Sequence, residues 1–255
     1  MGWRLAQAIL ASGGSPAPSP SPGPVIPHFG KSNACVANDR SLFCLSWVTQ
    51  NWGTRLEPAL LQHIELTVIA VAIGLVISLA AALVAFRRGW FEQGFMGFSA
   101  LLYTIPSLAF FELFVPVTGL GTLTIEIGLV GYTLLVLFRN TLEGLRSAPP
   151  EVVAAARGMG MTPRQIFYRI NVRLAIPAIM AGIRVATVTT ISLATIAAYI
   201  SPIGLGAPIL QAIQDSFNTE LITAGGLAIL LALLADGALV LAQRAITPWQ
   251  RAGRG

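Results

Sequence analysis

Charged residues are scarce in this sequence: they make up 11% of its 255 residues, against about 25% in an average soluble domain. The chain therefore lacks the polar surface that a soluble protein of this size needs. Sixteen basic residues outnumber eleven acidic ones, which gives a net charge of +5. Because the basic residues stand beside hydrophobic runs, they indicate charges that set membrane topology and argue against a nucleic-acid partner.

Lysine occurs once, as Lys31. A phosphate-binding P-loop needs the pattern Gly-x4-Gly-Lys-Ser/Thr, and Val25 stands where the first glycine of a motif ending at Lys31 would be. Histidine and cysteine each occur only twice, and none of them falls in a cluster with metal-ligand spacing. We therefore expect that this chain is not an enzyme, has no metal site and binds no cofactor of its own.

Long apolar runs are abundant instead. Five of them approach the roughly 20 residues that a helix needs to cross a bilayer, at about 64–86, 95–117, 120–138, 174–200 and 221–242. Because lipid offers no hydrogen-bond partners to the backbone, each run should be helical. Pro106 and Pro116 predict a kink or break in the second run. The expected fold class is an all-α, polytopic membrane protein with about five transmembrane helices.

Arginines predict the orientation. With the N-terminus outside, eleven arginines fall in the inner segments, whereas the outer segments hold four basic residues spread over a long tail. This positive-inside bias predicts an extracytoplasmic N-terminus and a cytoplasmic C-terminus in a bacterial cell membrane. The interval 147–173 is then cytoplasmic.

The first 61 residues predict an extracytoplasmic tail. Its segment "SGGSPAPSPSPGPVIP" is typical of an extended linker, and aromatic residues in 42–62 suit a segment at the membrane interface. Cys35 and Cys44 are expected to close a small disulfide loop, with two independent thiols as the alternative. The sequence leaves open whether the tail is cleaved and whether 42–62 adds a membrane segment. The transmembrane domain is expected at 62–248, followed by a cytoplasmic tail at 249–255.

The cytoplasmic interval predicts two short amphipathic helices. Ser147 reads as the cap of the first helix, which should end at the glycines of "GMG", and Thr162 with Pro163 reads as the start of the second. The apolar face of the second is expected to hold Ile166, Phe167, Ile170 and Leu174, with Arg164, Arg169 and Arg173 elsewhere on its surface. The residues alone allow two interpretations: a loop on the inner leaflet, or a knob that docks a partner.

The stretch "EVVAAARGMGMTPRQIFYRINVRLAIPAIMAGIRVAT" resembles the cytoplasmic loop of bacterial ABC importer permeases. Ala155, Ala156, Gly160 and Ile170 match that family's signature. The family's glutamate falls on Ala154 and its leucine-proline pair on 172–173, so this sequence departs from the pattern at both. With "TIPSLAF" and "LFRNTLEGL", the chain resembles over residues 61–248 the subgroup that imports osmoprotectants such as glycine betaine, carnitine and choline.

The resemblance implies a coupling helix that sits in a groove of a separate ATPase, whose nucleotide-driven closure alternates the access of the membrane path. The implied partners are two copies of the ATPase, which hydrolyses the ATP, a second permease copy or a paralogue, and an extracytoplasmic substrate-binding protein. The ATPase-coupling residues are expected to be Ala155, Ala156, Arg157, Gly158, Met159, Gly160, Met161, Thr162, Arg164 and Ile170.

Polar residues inside the apolar runs are candidates for the translocation path, because charge at bilayer depth is costly. The set comprises Glu112, Arg184, Thr187 and Asp236, with Glu126 as a further intramembrane acid. Arg184 and Asp236 are hypothesised to pair, and the alternative is that Asp236 faces water. The hydroxyl-rich fourth run is explained more readily by helix packing than by a pore lining.

Two other functions stay open at the level of the sequence. One is an ABC permease for another small solute, such as an amino acid derivative. The other is a membrane protein without a transport role, an enzyme or assembly factor, whose loop docks a different partner. The sequence decides neither the solute nor whether two permease chains pair as a homodimer or a heterodimer.

Overall fold

The structure is a computed structural model that describes residues 43–248. Cys35, the linker and most of the predicted tail, together with the C-terminal residues 249–255, lie outside the described residues. The described residues form helices joined by short connections and include no β-strand. It begins with α1 (Leu45–Asn51), which continues through one π-helical turn (Trp52–Leu56) into α2 (Glu57–Ala85).

The remaining helices follow in chain order. They are α3 (Gly89–Thr104), α4 (Ser107–Thr118), α5 (Thr122–Arg146), α6 (Pro150–Gly158), α7 (Pro163–Ile166), α8 (Val172–Ile196), α9 (Gly206–Gln214) and α10 (Asn218–Ile246). A π-helical turn (Phe167–Asn171) joins α7 to α8, and a 3₁₀ turn (Ala197–Tyr199) extends α8.

Four helical stretches of the described chain are long and apolar enough to cross a membrane, and the bent pair α3–α4 makes a fifth if it is one span. These stretches coincide with the five predicted runs to within two residues at the ends where a run extends beyond its stretch. The predicted fold class is therefore confirmed. Segment 42–62 adds no separate span, because its helical part belongs to one stretch of 41 residues, Leu45–Ala85. Trp47 and Leu56 in that stretch pack against Ala224 near the start of α10.

The second span is broken at Pro106. The axes of α3 and α4 differ by 101°, because the residue before a proline avoids the helical conformation and Ile105 is extended (φ −68°, ψ 132°). The freed Ile105 carbonyl accepts a hydrogen bond from the Tyr132 hydroxyl of α5. Pro116, the other proline of this run, lies within α4.

Helix α5 is the centre of the bundle. In its most apolar 18-residue segment 56% of the residues are buried, whereas the corresponding segment of α10 has 6% buried. Helices α2 and α8 flank it at close range because glycines lie at the crossings. A Cβ on Gly74 of α2 would lie 1.9 Å from Thr133 Oγ1, and one on Gly182 of α8 would lie 2.8 Å from Asn140 Cβ. The central helix thereby fixes the distance between its two neighbours.

The bundle has two different ends. At one end lie the short helices α6 and α7, and we call it the α6–α7 end. At the other end lie α1, the turn 201–205, α9 and the start of α10, and we call it the α9 end. The two ends carry the polar features described next.

Candidate functional site

The first short helix starts later than predicted. Pro149 is the N-cap of α6 and no side chain caps it, so the prediction that Ser147 caps this helix was wrong. Ser147 instead ends α5, and its hydroxyl donates to the Gly144 carbonyl at 2.8 Å. Pro150 at the first position and Glu151 in the first turn favour the helix start without a cap, because the missing proline N–H needs no partner and the acid suits the helix dipole.

A glycine turn joins α6 to α7. Gly160 has φ +78°, and the backbone N–H groups of Gly160 and Met161 donate to the carbonyls of Arg157 and Ala156 at 2.9 and 3.1 Å. These two bonds form a Schellman motif, which needs a left-handed residue at this position. Because only glycine adopts that conformation without strain, Gly160 sets the angle between the two helices.

The second short helix is capped as predicted. The Thr162 side chain accepts a hydrogen bond from the backbone of Gln165, and the Gln165 side chain accepts one from the backbone of Thr162 at 2.8 Å. Pro163 follows at the first helical position. This capping box satisfies two N–H groups that a helix start otherwise leaves without partners.

The unit formed by α6 and α7 presents one outward surface. Met159 is 76% exposed, and Arg157 and Arg164 of the same unit are also exposed, whereas Ala156 and Ile166 are buried. The exposed members of the predicted coupling set are Ala155, Arg157, Gly158, Met159, Gly160, Thr162 and Arg164, while Met161 and Ile170 are half-buried. We call these seven exposed residues the docking surface, after the role that the sequence predicts for them.

One polar contact attaches the turn after this unit to the bundle, and a second joins two helices of the bundle at the same end. The Asn171 side chain, in the turn after α7, donates to the Leu145 carbonyl of α5 at 2.8 Å. At the end of α5, Arg146 donates two hydrogen bonds of 2.7 Å to the carboxylate of Glu92 on α3. Sequence reasoning missed both contacts, because the paired residues are 26 and 54 positions apart and no local pattern links them.

Arg184 on α8 and Asp236 on α10 form the hypothesised pair. Nε and Nη2 of Arg184 lie 2.8 and 3.0 Å from the two carboxylate oxygens of Asp236, which is the bidentate geometry of a strong ion pair. About a third of each side chain is exposed, 33% and 37%. A crevice of about 360 Å³ opens at the pair.

The other intramembrane polar residues do not join this pair. Glu112 is exposed on α4, on the opposite face from the buried Phe110 and Phe111. The Thr187 hydroxyl donates to the Ile183 carbonyl of its own helix at 2.8 Å. Both carboxylate oxygens of Glu126 on α5 are buried and have no hydrogen-bond partner within the described chain.

A second group of contacts, which sequence reasoning missed, lies at the α9 end. His63 of α2 is fully buried, and its Nδ1 accepts a hydrogen bond of 3.2 Å from the Leu205 N–H. The other ring nitrogen, Nε2, is then the protonated one and donates to the Ile191 carbonyl at 3.1 Å. The neighbouring Gln62 side chain accepts from the Gly204 N–H at 2.8 Å. Together these bonds fasten the turn 201–205 to α2.

Arg55 completes this end. Its Nε lies 3.0 Å from the buried carboxylate of Glu220 on α10, and its Nη2 donates to the Gln211 side chain of α9. An open cleft of about 560 Å³ lies beside it, lined by α2 residues including Gln62 and Glu65, and by α9 and the preceding turn. The predicted Cys35–Cys44 disulfide stays a prediction, because Cys35 lies outside the described residues.

The described chain is a helix bundle with a broken second span and a paired-helix loop between its third and fourth spans. Residues 67–251 match the family of binding-protein-dependent transport system inner membrane components. The chain belongs to this family. It is therefore a multi-pass membrane component of a transport system that also depends on a binding protein.

Proteins of known function support this membership. The chain is 36% identical over 193 residues to the osmoprotectant import permease protein OsmW of Salmonella typhimurium, covering 73% of this chain and 89% of that one. It is 44% identical over 136 residues to the ergothioneine transport permease/ergothioneine binding protein EgtU of Helicobacter pylori. That second match covers 53% of this chain but only 24% of the Helicobacter protein.

Solved structures share the fold. A chain of the MetNI methionine ABC transporter, in an inward-facing conformation, superimposes with a TM-score of 0.65 at 20% sequence identity. The superposition covers 73% of this chain and 93% of the MetNI chain. At this identity the similarity shows the fold alone, which this chain shares with the MetNI chain.

Proposed function

We propose that this chain is the permease subunit of an ATP-driven importer for quaternary-ammonium osmoprotectants. A separate ATPase binds the docking surface, and ATP-driven closure of two ATPase copies moves the helices so that the solute path opens alternately on the two sides. An extracytoplasmic binding protein delivers the solute, and a second permease chain, a copy or a paralogue, completes the path. The N-terminus lies outside and the C-terminus inside the cell.

The docking surface is the observation that carries this proposal. It joins an exposed methionine, Met159, to two exposed arginines, Arg157 and Arg164. An apolar anchor surrounded by cations suits a protein groove with an acidic rim. The surface is also rigid, because the Schellman turn and the capping box fix its backbone. A rigid knob transmits a movement of its partner to the helices behind it, whereas a flexible loop would absorb that movement.

The connection behind the docking surface suits this coupling. Helix α7 runs through one π-helical turn directly into α8, so Pro163–Tyr199 is one helical stretch of 37 residues. A displacement of α7 therefore acts on a membrane-spanning helix with no loop between them. The bidentate contact of Arg146 with Glu92 joins α5 to α3 at the same end of the bundle.

The family's glutamate position bears on how the ATPase is held. Ala154 occupies it and is exposed, as is Ala155 beside it. A carboxylate contact from this position is therefore absent in this chain. We propose that the shape of the Gly160 turn and the charges of Arg157 and Arg164 hold the ATPase instead.

The solute class rests on the relatives. The OsmW protein is named for osmoprotectant import, and a Bacillus subtilis relative, 32% identical over 190 residues, is named for glycine betaine, carnitine and choline. All three of those solutes carry a trimethylammonium group, and this group defines the proposed class. The EgtU relative favours a second candidate, ergothioneine, an amino acid derivative that is itself a trimethylammonium betaine.

The proposal is tested by exchanging Gly160 for alanine. A left-handed alanine costs about 1–2 kcal/mol, so the turn should relax and the docking surface should lose its shape. We expect the Gly160→Ala variant to associate about tenfold more weakly with the partner ATPase, measured by co-purification and titration in detergent. Osmoprotectant uptake should fall to the same extent.

Gly119→Ala is the control for backbone strain. Gly119 also has a positive φ (+76°), and its ψ of −176° suits alanine even less than a left-handed turn does. Like Gly160 it has no atom within 4 Å of its added Cβ, but it lies between α4 and α5, outside the docking surface. This variant should bind the ATPase as the wild type does. Equal association of wild type, Gly160→Ala and Gly119→Ala would contradict the coupling role of the turn.

A further inference from the structure

The Arg184–Asp236 pair lies deep in two membrane-spanning helices. Arg184 is twelve residues from either end of α8, and Asp236 is ten residues from the end of α10. At 1.5 Å per residue these separations are about 18 and about 15 Å. The pair is therefore remote from both ends of its helices, where lipid headgroups would lie.

The surface of this pair is incompletely covered. A third of each charged side chain is open, although a charge in contact with hydrocarbon is costly and such residues normally face water or protein. If the ion pair served only to hold α10 to α8, a fully buried ion pair or two packed apolar side chains would serve as well. The open third indicates that these two charges meet something polar in the working transporter.

The crevice at the pair has the chemistry of a small binding site. Its volume of about 360 Å³ falls within the range of about 300–1,000 Å³ that is usual for small-molecule sites. Its walls are apolar, with Ala181, Val185 and Val188 beside the two charges. Thr189 also lines the crevice. Its hydroxyl donates a hydrogen bond to the Val185 carbonyl, so the hydroxyl oxygen is left to accept one from a ligand.

We propose that this crevice is a transient site for a zwitterionic quaternary-ammonium solute on its way across the membrane. The carboxylate of the solute takes hydrogen bonds from the Arg184 guanidinium, and its trimethylammonium group lies against the Asp236 carboxylate and the valine walls. The inference rests on the proposed function and adds a selectivity to it, because the charges of the crevice are complementary to both ends of a betaine.

The site distinguishes solutes that share one end. Glycine betaine, carnitine and ergothioneine carry both the cation and the carboxylate, whereas choline carries only the cation. For choline the Arg184 guanidinium stays with Asp236 and repels the ammonium group. The permease therefore favours betaines over choline independently of the binding protein.

The test uses glycine betaine and choline as probes of the full-length permease bound to its ATPase, in nanodiscs of phosphatidylglycerol and without binding protein. Saturation-transfer NMR detects contact of their methyl protons with the protein. We expect a glycine betaine signal several-fold stronger than that of choline. The Arg184→Gln/Asp236→Asn variant, which keeps a hydrogen-bonded pair but removes both charges, should lower the betaine signal about tenfold and leave the choline signal unchanged.

A second variant, Val188→Phe, fills the crevice from its wall while keeping both charges, and it should abolish the betaine signal as well. Equal betaine signals in wild type and both variants would overturn the inference. So would loss of the betaine signal on changing the lipid to phosphatidylcholine, because it would assign the crevice to a zwitterionic headgroup.

Uptake separates this inference from the proposed function. If wild-type chain with its ATPase and binding protein imports none of these solutes, the proposed function fails. If wild-type import is normal and the neutral double variant imports glycine betaine with the wild-type KM and rate, only the inference about the crevice fails.

Discussion

His63 is buried completely, and both of its ring nitrogens are used. It joins three parts of the chain: its own helix α2, the Ile191 carbonyl of α8, and the Leu205 N–H in the turn before α9. The Gly204 backbone approaches the ring so closely that an added Cβ would lie 2.9 Å from Nδ1. At the scale of single residues, this histidine fixes the turn 201–205, and the glycine makes room for it.

Replacing His63 with leucine should destabilise the protein by about 1–3 kcal/mol, because the Leu205 N–H is then buried without a partner. Val68→Ala, at a 60% exposed position of the same helix, is the control and should have little effect. The measurement is thermal unfolding in detergent, followed by circular dichroism. Equal unfolding temperatures for the two variants would argue against a structural role of the histidine bonds.

Helix α5 controls the packing of its neighbours at the scale of elements. Phe110 and Phe111 of α4 fill the space above Gly131 and Gly128, while Gly74 of α2 lies against Thr133. The Ser78 hydroxyl of α2 donates to the Leu134 carbonyl of α5 at 3.3 Å. In lipid, where the hydrophobic effect does not drive helices together, such close contacts supply most of the attraction.

Gly74→Ala should separate α2 from α5, since its Cβ would overlap Thr133 Oγ1 at 1.9 Å. Overpacking of this kind typically costs about 1–3 kcal/mol. Gly97→Ala, on α3 with open space around the added methyl group, should be neutral or slightly stabilising, because alanine favours the helix. The measurement is the fraction of each variant that stays folded and monodisperse when it is heated in detergent. A stable Gly74→Ala protein would mean that the two helices can move apart without loss.

At the scale of the whole described bundle, the two ends carry different features. The α6–α7 end carries the docking surface, and the α9 end carries the cleft beside Arg55. A transporter that receives solute on one side and energy on the other needs such a division. The arginine distribution predicts that the α6–α7 end is cytoplasmic.

Cysteine labelling tests this orientation. In a variant with Cys35 and Cys44 changed to serine, Met159→Cys and Asp215→Cys each place one thiol at an exposed position, one at each end. In right-side-out membrane vesicles, a membrane-impermeant maleimide should label position 215 at once and position 159 only after permeabilisation. The reverse order would invert the predicted topology.

Much of the fold was predictable because its signals are local. The apolar runs predicted five spans, and Pro106 predicted the break in the second, since a proline restricts its own neighbour. Thr162, Pro163 and Gly160 predicted the second short helix and the turn before it. Ser147 misled the prediction, because its cap position depends on where α5 ends, which its local sequence does not specify.

The candidate sites were less predictable. Arg184 and Asp236 were expected to pair because an intramembrane charge needs a partner, and few partners exist in so apolar a chain. The bonds of His63 with the turn 201–205 and of Arg146 with Glu92 were not expected. Each joins ordinary polar residues far apart in the chain, and a single sequence holds no signal for such a meeting.

The sequence by itself determined the membrane class, the apolar runs that form the spans, the break at Pro106, and the glycine turn and capped second helix of the α6–α7 unit. Hydrophobic length, proline geometry and helix capping are each encoded in one continuous segment of the chain. Only the tertiary structure decided which helix lies at the centre, how far the Arg184–Asp236 pair is open, and what His63 holds. These features depend on how helices that are distant in sequence cross one another. At the crossings, the absence of a side chain at Gly74 or Gly182 sets how closely the two helices approach.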